Sequence, residues 1–190
     1  KFIKGDEDML NTISYKIKAN PPAVAVVNYV ANHNTFTLYD AVSYDKKYNQ
    51  ANGENNRDGA VYNYSWNCGA EGPSRKKEVR EKRSSQERNA FLMLMLGMAS
   101  PRILSGDEFG NTQKGNNNAY CQDNAITWLD WSLLEKNKEL FSYVKKLIEF
   151  RRNHPLYQSR RYLTGMDSEG LGAPDVSCHG VEPWNARFSY

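Results

Sequence analysis

A run of β-branched apolar residues near the N-terminus constrains the fold of this chain more than any other stretch. Val24–Val30 is almost wholly apolar, and the polar residues His33 and Asn34 follow it closely. A strand that is buried on both faces has such a continuous run, whereas a half-buried strand alternates apolar and polar residues. The run therefore predicts a buried strand. In a barrel of parallel strands, the residues after such a strand lie at the mouth of the active site.

Helical and strand-like segments alternate along the chain. The hydrophobic pattern predicts helices over residues 4–18, over 86–98 and from Ser132 to a stop at Pro155, and a second buried strand over Arg102–Ser105. Ser132 and Glu135 have the spacing of a capping box at the start of the last helix. Because strands that alternate with helices form βα units, we expect parallel strand pairing and an α/β fold.

Two long connections follow the two predicted strands. Residues 35–74 and 111–131 are dense in asparagine, glycine and aromatic residues. Connections of this length are uncommon unless they are functional, and loops on a rigid scaffold often carry binding residues. We therefore expect these loops to form the binding surface.

The composition points to one piece of a longer polypeptide. The net charge of +3 over 190 residues is too small to imply a polyanionic partner by itself. The mean hydropathy of −0.76 is low for a complete α/β barrel. The chain begins at Lys1, and no secretory or membrane-spanning segment is visible. We expect no membrane partner.

The cysteines and histidines are scattered. Cys68, Cys121 and Cys178 form an odd set without a CxxC pair, which is typical of reduced thiols rather than of a disulfide framework. A cytoplasmic protein is therefore expected. The histidines are too far apart in sequence to suggest zinc, so we expect no metal and no other cofactor.

One charged stretch supports a different class of function. Basic residues dominate positions 75–83, and such a cluster can bind phosphate backbones. Glu78, Glu81 and Glu87 lie among or near them at helical spacings that allow ion pairs. A solvated start of a helix is favoured and no nucleic acid partner is expected. An anion- or nucleic-acid-binding module remains the less favoured alternative.

Six sequence blocks occur in an order that is far more specific than any short motif. They are Val27–Val30, His33–Asp40, Asn52–Gly59, Tyr64–Gly69, Gly106–Gln113 and Gly115–Asn124. Together they resemble the α-amylase superfamily of glycoside hydrolases, in its isoamylase, glycogen-debranching and pullulanase branch. The resemblance covers about residues 1–155.

The resemblance implies that the chain is the C-terminal portion of a TIM (β/α)8 barrel. Val24–Val30 would be strand seven and Arg102–Ser105 strand eight, with residues 1–155 in the barrel and 156–190 as a connector. In the family, the nucleophile and the general acid/base follow strands four and five, and both positions would precede Lys1. We therefore expect an inactive isolated chain that pairs with the missing N-terminal part of the barrel or with itself.

The resemblance also assigns roles to the pair of residues after the first strand. In the family, a His-Asp pair ends strand seven, where the histidine binds the sugar and the aspartate stabilises the transition state. Here the pair is His33 and Asn34, and Thr35 stands where glycine is usual. An amide carries no charge. The loss of one preorganised electrostatic contact costs about 2.7–4 kcal/mol, or about 10²–10³ in rate.

Two functions follow from this reading. The first is a debranching hydrolase that cleaves α-1,6 linkages in glycogen, starch or pullulan by a retaining mechanism. The second is a non-catalytic α-glucan-binding or regulatory protein that kept the fold and lost the charge at Asn34. Without the six blocks, the favoured interpretation of His33 is a buried histidine bonded to the backbone; with them, the role in sugar binding is favoured.

Aromatic and amide side chains in the loops are candidate sugar ligands, since flat aromatic faces suit glucose rings. The loop aromatics are Tyr39, Tyr44, Tyr48, Tyr62, Tyr64, Trp66, Tyr120, Trp128 and Trp131. Besides His33, the candidate substrate-binding residues are Tyr39, Asn55, Asn56, Arg57, Trp66, Asn117 and Tyr120. Asparagines also form turns, and the turn interpretation is favoured for most of them. Asp107 and Glu108 follow the second strand as a catalytic pair would, but the resemblance favours structural roles for both.

Overall fold

The computed structural model describes residues 1–19, 21, 23–158 and 162–179. Its helices and strands are α1 Met9–Lys18, β1 Val27–Tyr29, α2 Leu38–Ala41, α3 Lys77–Leu96, β2 Ser100–Arg102, α4 Ser132–Lys136 and α5 Lys138–Asn153. Short 3-10 turns lie at Phe2–Lys4, Gln50–Asn52, Asp107–Phe109, Ala119–Cys121 and Pro155–Gln158. The predicted connector over 156–190 lies partly outside the described residues, and residues 162–179 form turns and irregular backbone.

The two strands confirm the predicted parallel pairing. Val27 is opposite Ser100 and Tyr29 is opposite Arg102. Both strands are shorter than predicted. β2 starts two residues earlier than the predicted Arg102–Ser105 strand and overlaps it only at Arg102. An apolar run predicts that a strand forms in a region of the sequence. The residues at which the strand begins and ends depend on which backbone N–H and C=O groups form hydrogen bonds with a neighbouring strand.

The prediction that the first strand is buried on both faces is wrong for the described structure. Val27 and Tyr29 are each 51% exposed, and Val24 and Val30 are exposed as well. The sheet of the described residues has only two strands, so β1 lacks the further neighbours that its apolar side chains require.

The core lies between the helices rather than around the sheet. Leu38 of α2, Ala90 and Phe91 of α3 and Val144 of α5 form its buried cluster. Arg151 of α5 joins this core to the sheet, because its guanidinium donates to the carbonyls of Met95 at 2.7 Å and Ala99 at 2.8 Å, between the end of α3 and the start of β2.

Helix α3 begins at Lys77, so most of the charged stretch 75–83 is the start of a helix, as favoured, and it continues into the predicted 86–98 segment. The predicted ion pairing occurs between Lys77 and Glu81 at 3.8 Å. Arg83, in contrast, is buried, and its guanidinium donates to the carbonyl of Asn67 at 3.1 Å and also to that of Ala70. The prediction of a solvated basic face is therefore wrong at Arg83, which holds a loop against the helix.

The predicted last helix is divided at Asn137. The Asn137 amide donates to the carbonyl of Phe109 at 2.9 Å, which turns the chain between α4 and α5. The predicted capping box is absent, because the Asp130 carboxylate accepts from the backbone N–H of Ser132 at 3.0 Å and from its hydroxyl at 2.6 Å. No helix in the described part of the chain is long and apolar enough to cross a membrane.

Candidate functional site

The polar residues after β1 form a closed turn. The backbone N–H of Asn32 donates to the Thr35 hydroxyl at 3.0 Å, and that of Thr35 donates to the Asn32 carbonyl at 3.1 Å. The backbone N–H of Asn34 donates to the Asn32 side-chain oxygen at 2.8 Å. Buried Ala31 and Phe36 hold the two ends of the turn. The threonine that replaces the usual glycine therefore has a role in closing the turn.

His33 and Asn34 project from this turn into solvent. Both residues are exposed, so the interpretation of His33 as a buried, backbone-bonded histidine is wrong. The imidazole of His33 and the amide of Asn34 can each donate and accept hydrogen bonds. Neither supplies a carboxylate, so this turn can bind hydroxyl groups but cannot provide the acid or nucleophile of glycoside hydrolysis.

The asparagines of the two long loops bond mainly to each other. Asn117 is 1% exposed, and its side chain accepts from the amide of Asn49 at 2.8 Å and donates to Asn63 at 2.7 Å and to the Ala60 carbonyl at 3.0 Å. With both donors used and no exposed surface, Asn117 joins the loops and has no free position for a sugar. The prediction that it binds substrate is corrected accordingly.

Asn55 and Asn56 follow the turn interpretation. Both have positive φ, 51° and 61°, a conformation that asparagine tolerates better than most residues. The Asn56 side chain also accepts from the backbone N–H of Asn49 at 2.7 Å. Gly59 is needed in the same loop, because a Cβ there would lie 2.3 Å from the side-chain oxygen of Asn117.

The other predicted binding residues do not form one site. Arg57 is exposed and its Nε donates to the Glu54 carbonyl at 3.4 Å, and Tyr120 is 82% exposed. Trp66 lines a cavity of about 400 Å³, whereas Tyr39 lines another of about 560 Å³. The structure therefore separates the predicted aromatics into different surfaces.

The carboxylates after β2 contact the backbone. Asp107 is buried and accepts from the backbone N–H of Leu38 at 2.9 Å, and Glu108 accepts from that of Gly106 at 2.9 Å. Burial raises the pKa of Asp107 to about 7. These contacts agree with the structural roles expected for both residues.

Two further carboxyl groups are buried, namely Asp40, for which the sequence predicts no role, and Glu87, which is expected on a solvated helix face. Asp40 accepts from the backbone N–H groups of Gln113 at 2.8 Å and Gly115 at 3.3 Å, and burial raises its pKa to about 6. Burial, with the neighbouring Asp107, raises the pKa of Glu87 to about 8. Glu87 lies four residues before the core residue Phe91, so helical spacing could have placed it on the buried face.

The described residues contain no group of three or more His, Cys, Asp or Glu side chains that could hold a metal ion. All three cysteines are free, with Cys68 buried and the other two exposed.

Comparison with known proteins identifies close relatives. The chain is 49% identical over 141 residues to the glycogen operon protein GlgX homolog of Mycobacterium tuberculosis, covering 74% of this chain and 20% of that protein. It is 46% identical over 138 residues to the glycogen debranching enzyme of Erwinia tasmaniensis, covering 73% and 21%. It is 38% identical over 176 residues to chloroplastic isoamylase 3 of Oryza sativa, covering 88% and 22%.

The fold has a relative among solved structures. The pullulanase from Bacillus acidopullulyticus matches with a TM-score of 0.60 and 21% identity, over 82% of this chain and 16% of that chain. No family model matches the sequence. The chain spans about a fifth of the length of the curated relatives it matches. On these sequence relationships, the chain belongs to the α-amylase family, in its glycogen-debranching and isoamylase branch.

Proposed function

We propose that this chain is the C-terminal part of the catalytic barrel of an α-glucan debranching hydrolase, with β1 and β2 as strands seven and eight. The reaction is retaining hydrolysis of α-1,6 linkages in glycogen, starch or pullulan, in the cytoplasm. The observation that carries the proposal is the exposed His33–Asn34 turn directly after a strand in parallel pairing with β2. Relatives named for glycogen debranching support the substrate class. Residues 1–155 contribute the barrel part and 156–190 the connector.

In this proposal the turn binds sugar and the chemistry comes from elsewhere in the barrel. Retaining hydrolysis needs one carboxylate to attack the anomeric carbon and a second to protonate the leaving oxygen. Asp40, Asp107 and Glu87 are buried, and the first two are bonded to the backbone of this chain. As the family resemblance implies, we place the two catalytic carboxylates in a part of the barrel outside this chain. The isolated chain is inactive.

The exposed side chains of β1 are covered in the complete assembly. In the complete barrel, Val27 and Tyr29 would contact the remaining strands. In the isolated chain, a second copy of this chain would cover them instead. Light scattering tests this expectation: a stable dimer of the isolated chain supports self-association, whereas a monodisperse monomer counts against the need for a partner and indicates a self-sufficient fold.

Restoring the carboxylate tests the proposal. In the complete barrel, Asn34→Asp should raise the rate of pullulan cleavage by about 10²–10³, because a preorganised charge is returned to the reacting sugar. The rate is measured from the reducing ends released. Asn11→Asp is the matched control, since Asn11 is exposed on α1 and the substitution adds the same charge away from the turn. An equal rate in the Asn34→Asp, Asn11→Asp and unmodified proteins would contradict the proposal.

The amide at position 34 favours a second candidate, a non-catalytic α-glucan-binding protein. An exposed imidazole and amide still bind sugar hydroxyls without a charge. This candidate predicts that pullulan binds to both the unmodified protein and Asn34→Asp, and that neither protein cleaves it.

A further inference from the structure

A cavity of about 560 Å³ lies between the first half of α3 and the junction of α4 with α5. None of the exposed side chains of β1 lines it. We name it the basic cavity, because its lining residues include more cations than carboxyl groups. The cations are Arg80, Arg83, Arg88, Lys136 and Lys138, and the carboxyl groups are those of Glu87, Glu135 and Glu139.

Much of the positive charge in the basic cavity is not neutralised within the described part of the chain. Arg80 is exposed, and its guanidinium makes no ion pair among the described residues. Arg83 donates to loop carbonyls from Nε and Nη2, which leaves its Nη1 without a hydrogen bond to a described residue. Glu135, in contrast, pairs with Lys138 at 3.4 Å. The unpaired cations favour an anionic ligand.

Glu87 is the buried carboxyl group of the basic cavity. The residue is 6% exposed, and its Oε1 has no hydrogen-bond partner among the described residues. Buried polar atoms are usually paired, and an unpaired one is costly. Burial, with the neighbouring Asp107, raises the pKa of Glu87 to about 8. At pH 7 the group is therefore mainly a neutral carboxylic acid, which can donate a hydrogen bond. The last torsion of a glutamate is broad, so the carboxyl group can turn towards a ligand in the cavity.

The size and the other walls of the basic cavity indicate the rest of the ligand. Its volume is in the range of small-molecule sites and is larger than a single inorganic anion requires. Tyr39 and Leu140 give it an apolar surface, and Ser74 adds a hydroxyl group. The ligand that fits therefore has an anionic group for the cations and an organic part for the remaining walls.

A phosphate ester has both of these features. Its oxygens accept hydrogen bonds from guanidinium groups in a geometry that arginine suits well, and one oxygen can also accept from a neutral carboxylic acid. We propose that the basic cavity binds the phosphate group of a small phosphate ester, with Arg80 and Glu87 as donors. A cationic ligand is disfavoured by the surplus of basic side chains. This inference does not depend on the proposed α-glucan substrate.

The test is NMR titration of the protein with sodium sulfate, and sodium chloride at equal ionic strength is the salt control. The backbone amide signals of Arg80, Ser84 and Asn137 should shift in a saturable way with sulfate alone. Arg80→Gln should weaken sulfate binding about tenfold, because a charge-assisted hydrogen bond is removed. Arg75→Gln is the matched control, since Arg75 is exposed in the same charged stretch and does not line the basic cavity.

A second titration distinguishes an ester from a free anion. Glucose 6-phosphate should shift the same signals and bind more tightly than sulfate at pH 7, because its organic part adds contacts with the walls. Equal affinity for the two probes would overturn the assignment to an ester.

Glu87→Gln separates a binding role of Glu87 from a structural one. Glutamine is neutral and retains an N–H donor, so the variant should still bind sulfate at pH 7. In the unmodified protein, sulfate affinity should fall between pH 6 and pH 9, because Glu87 loses its proton while sulfate keeps its charge. Most of this fall should disappear in Glu87→Gln.

The charged groups around Glu87 determine how much of the fall remains. Asp107 faces it from the turn after β2, and Arg83 and Arg88 face it from α3. Because burial raises the pKa of Asp107 to about 7, Asp107 also ionises in this range and should leave a smaller fall in Glu87→Gln. The α4–α5 side of the cavity adds Glu135, Lys136, Lys138 and Glu139.

Three results would overturn the inference. They are an absence of saturable sulfate shifts, which would assign the cavity to water alone, equal affinity in Arg80→Gln and the unmodified protein, and an unchanged pH dependence in Glu87→Gln. The proposed function is judged separately, by pullulan cleavage in Asn34→Asp, so the failure of one is distinguishable from the failure of the other.

Discussion

At the scale of single residues, the turn after β1 combines an unusual sequence with a closed geometry. Asn32 and Thr35 satisfy each other's backbone and side-chain groups, and this holds His33 and Asn34 outward. The departures from the family pattern thus have different consequences. Thr35 stabilises the turn, whereas Asn34 removes a charge from its tip.

The Thr35 hydroxyl gives a prediction at this scale. Thr35→Val keeps the shape of the side chain and removes the hydroxyl that contacts the N–H and C=O groups of Asn32. The free energy of unfolding should fall by about 1 kcal/mol, measured by urea denaturation. Thr35→Ser retains the hydroxyl, so its free energy of unfolding should fall much less. Equal losses in the two variants would show that the hydrogen bonds are not responsible.

At the scale of elements, α3 connects the loops to the core through two buried ionisable residues, Arg83 and Glu87. Arg83 holds the backbone of the first loop, and Glu87 lies near Asp107 beneath it. Glu87 Oε1 has no hydrogen-bond partner among the described residues. Arg83 and Arg88 lower the pKa of Glu87, but burial and Asp107 outweigh them.

The raised pKa values predict how stability depends on pH. Burial raises the pKa of Glu87 from 4.5 to about 8 and that of Asp107 from 3.8 to about 7. The folded state therefore binds more protons than the unfolded state between these values. The stability from these groups is complete below about pH 4 and is lost as the pH rises to about 8.

Glu87→Gln tests this dependence by removing one titrating group. The variant should lose less stability than the unmodified protein between pH 5 and pH 8, measured by urea denaturation at both pH values. Glu81→Gln is the control, because Glu81 lies on the same helix but is exposed. If Glu87→Gln and Glu81→Gln show the same pH dependence, Glu87 is not the group responsible.

The elements also mark how far the sequence could predict this structure. The alternation of strand-like and helical segments is sufficient to predict parallel βα units, because the hydrophobic periodicity of each segment indicates whether it is a helix or a strand. The burial of Arg83 and Glu87 cannot be predicted from the sequence, because charged side chains are usually exposed and the carbonyls that bind Arg83 come from a distant loop. The role of Asn117 could not be decided from sequence, since an asparagine suits both a sugar and a turn.

At the scale of the whole molecule, the described residues form a helical core that carries a two-stranded sheet with exposed apolar side chains. The two long loops are joined to each other by hydrogen bonds of the buried residues Asn49, Asn117 and Asp40. The sheet, in contrast, leaves apolar side chains exposed. This distribution suits one segment of a larger barrel, in which the loops are built locally and the sheet is completed by other strands. The chain spans about a fifth of the length of the curated relatives it matches.

The central claim is that the His33–Asn34 turn contacts a branched α-glucan. NMR titration of the protein with a short α-1,6-branched maltooligosaccharide measures this contact at the two side chains. We expect the His33 imidazole and the Asn34 side-chain amide signals to shift in a saturable way, while those of the buried Asn117 amide do not. Saturable binding that leaves the His33 and Asn34 signals unchanged would contradict it.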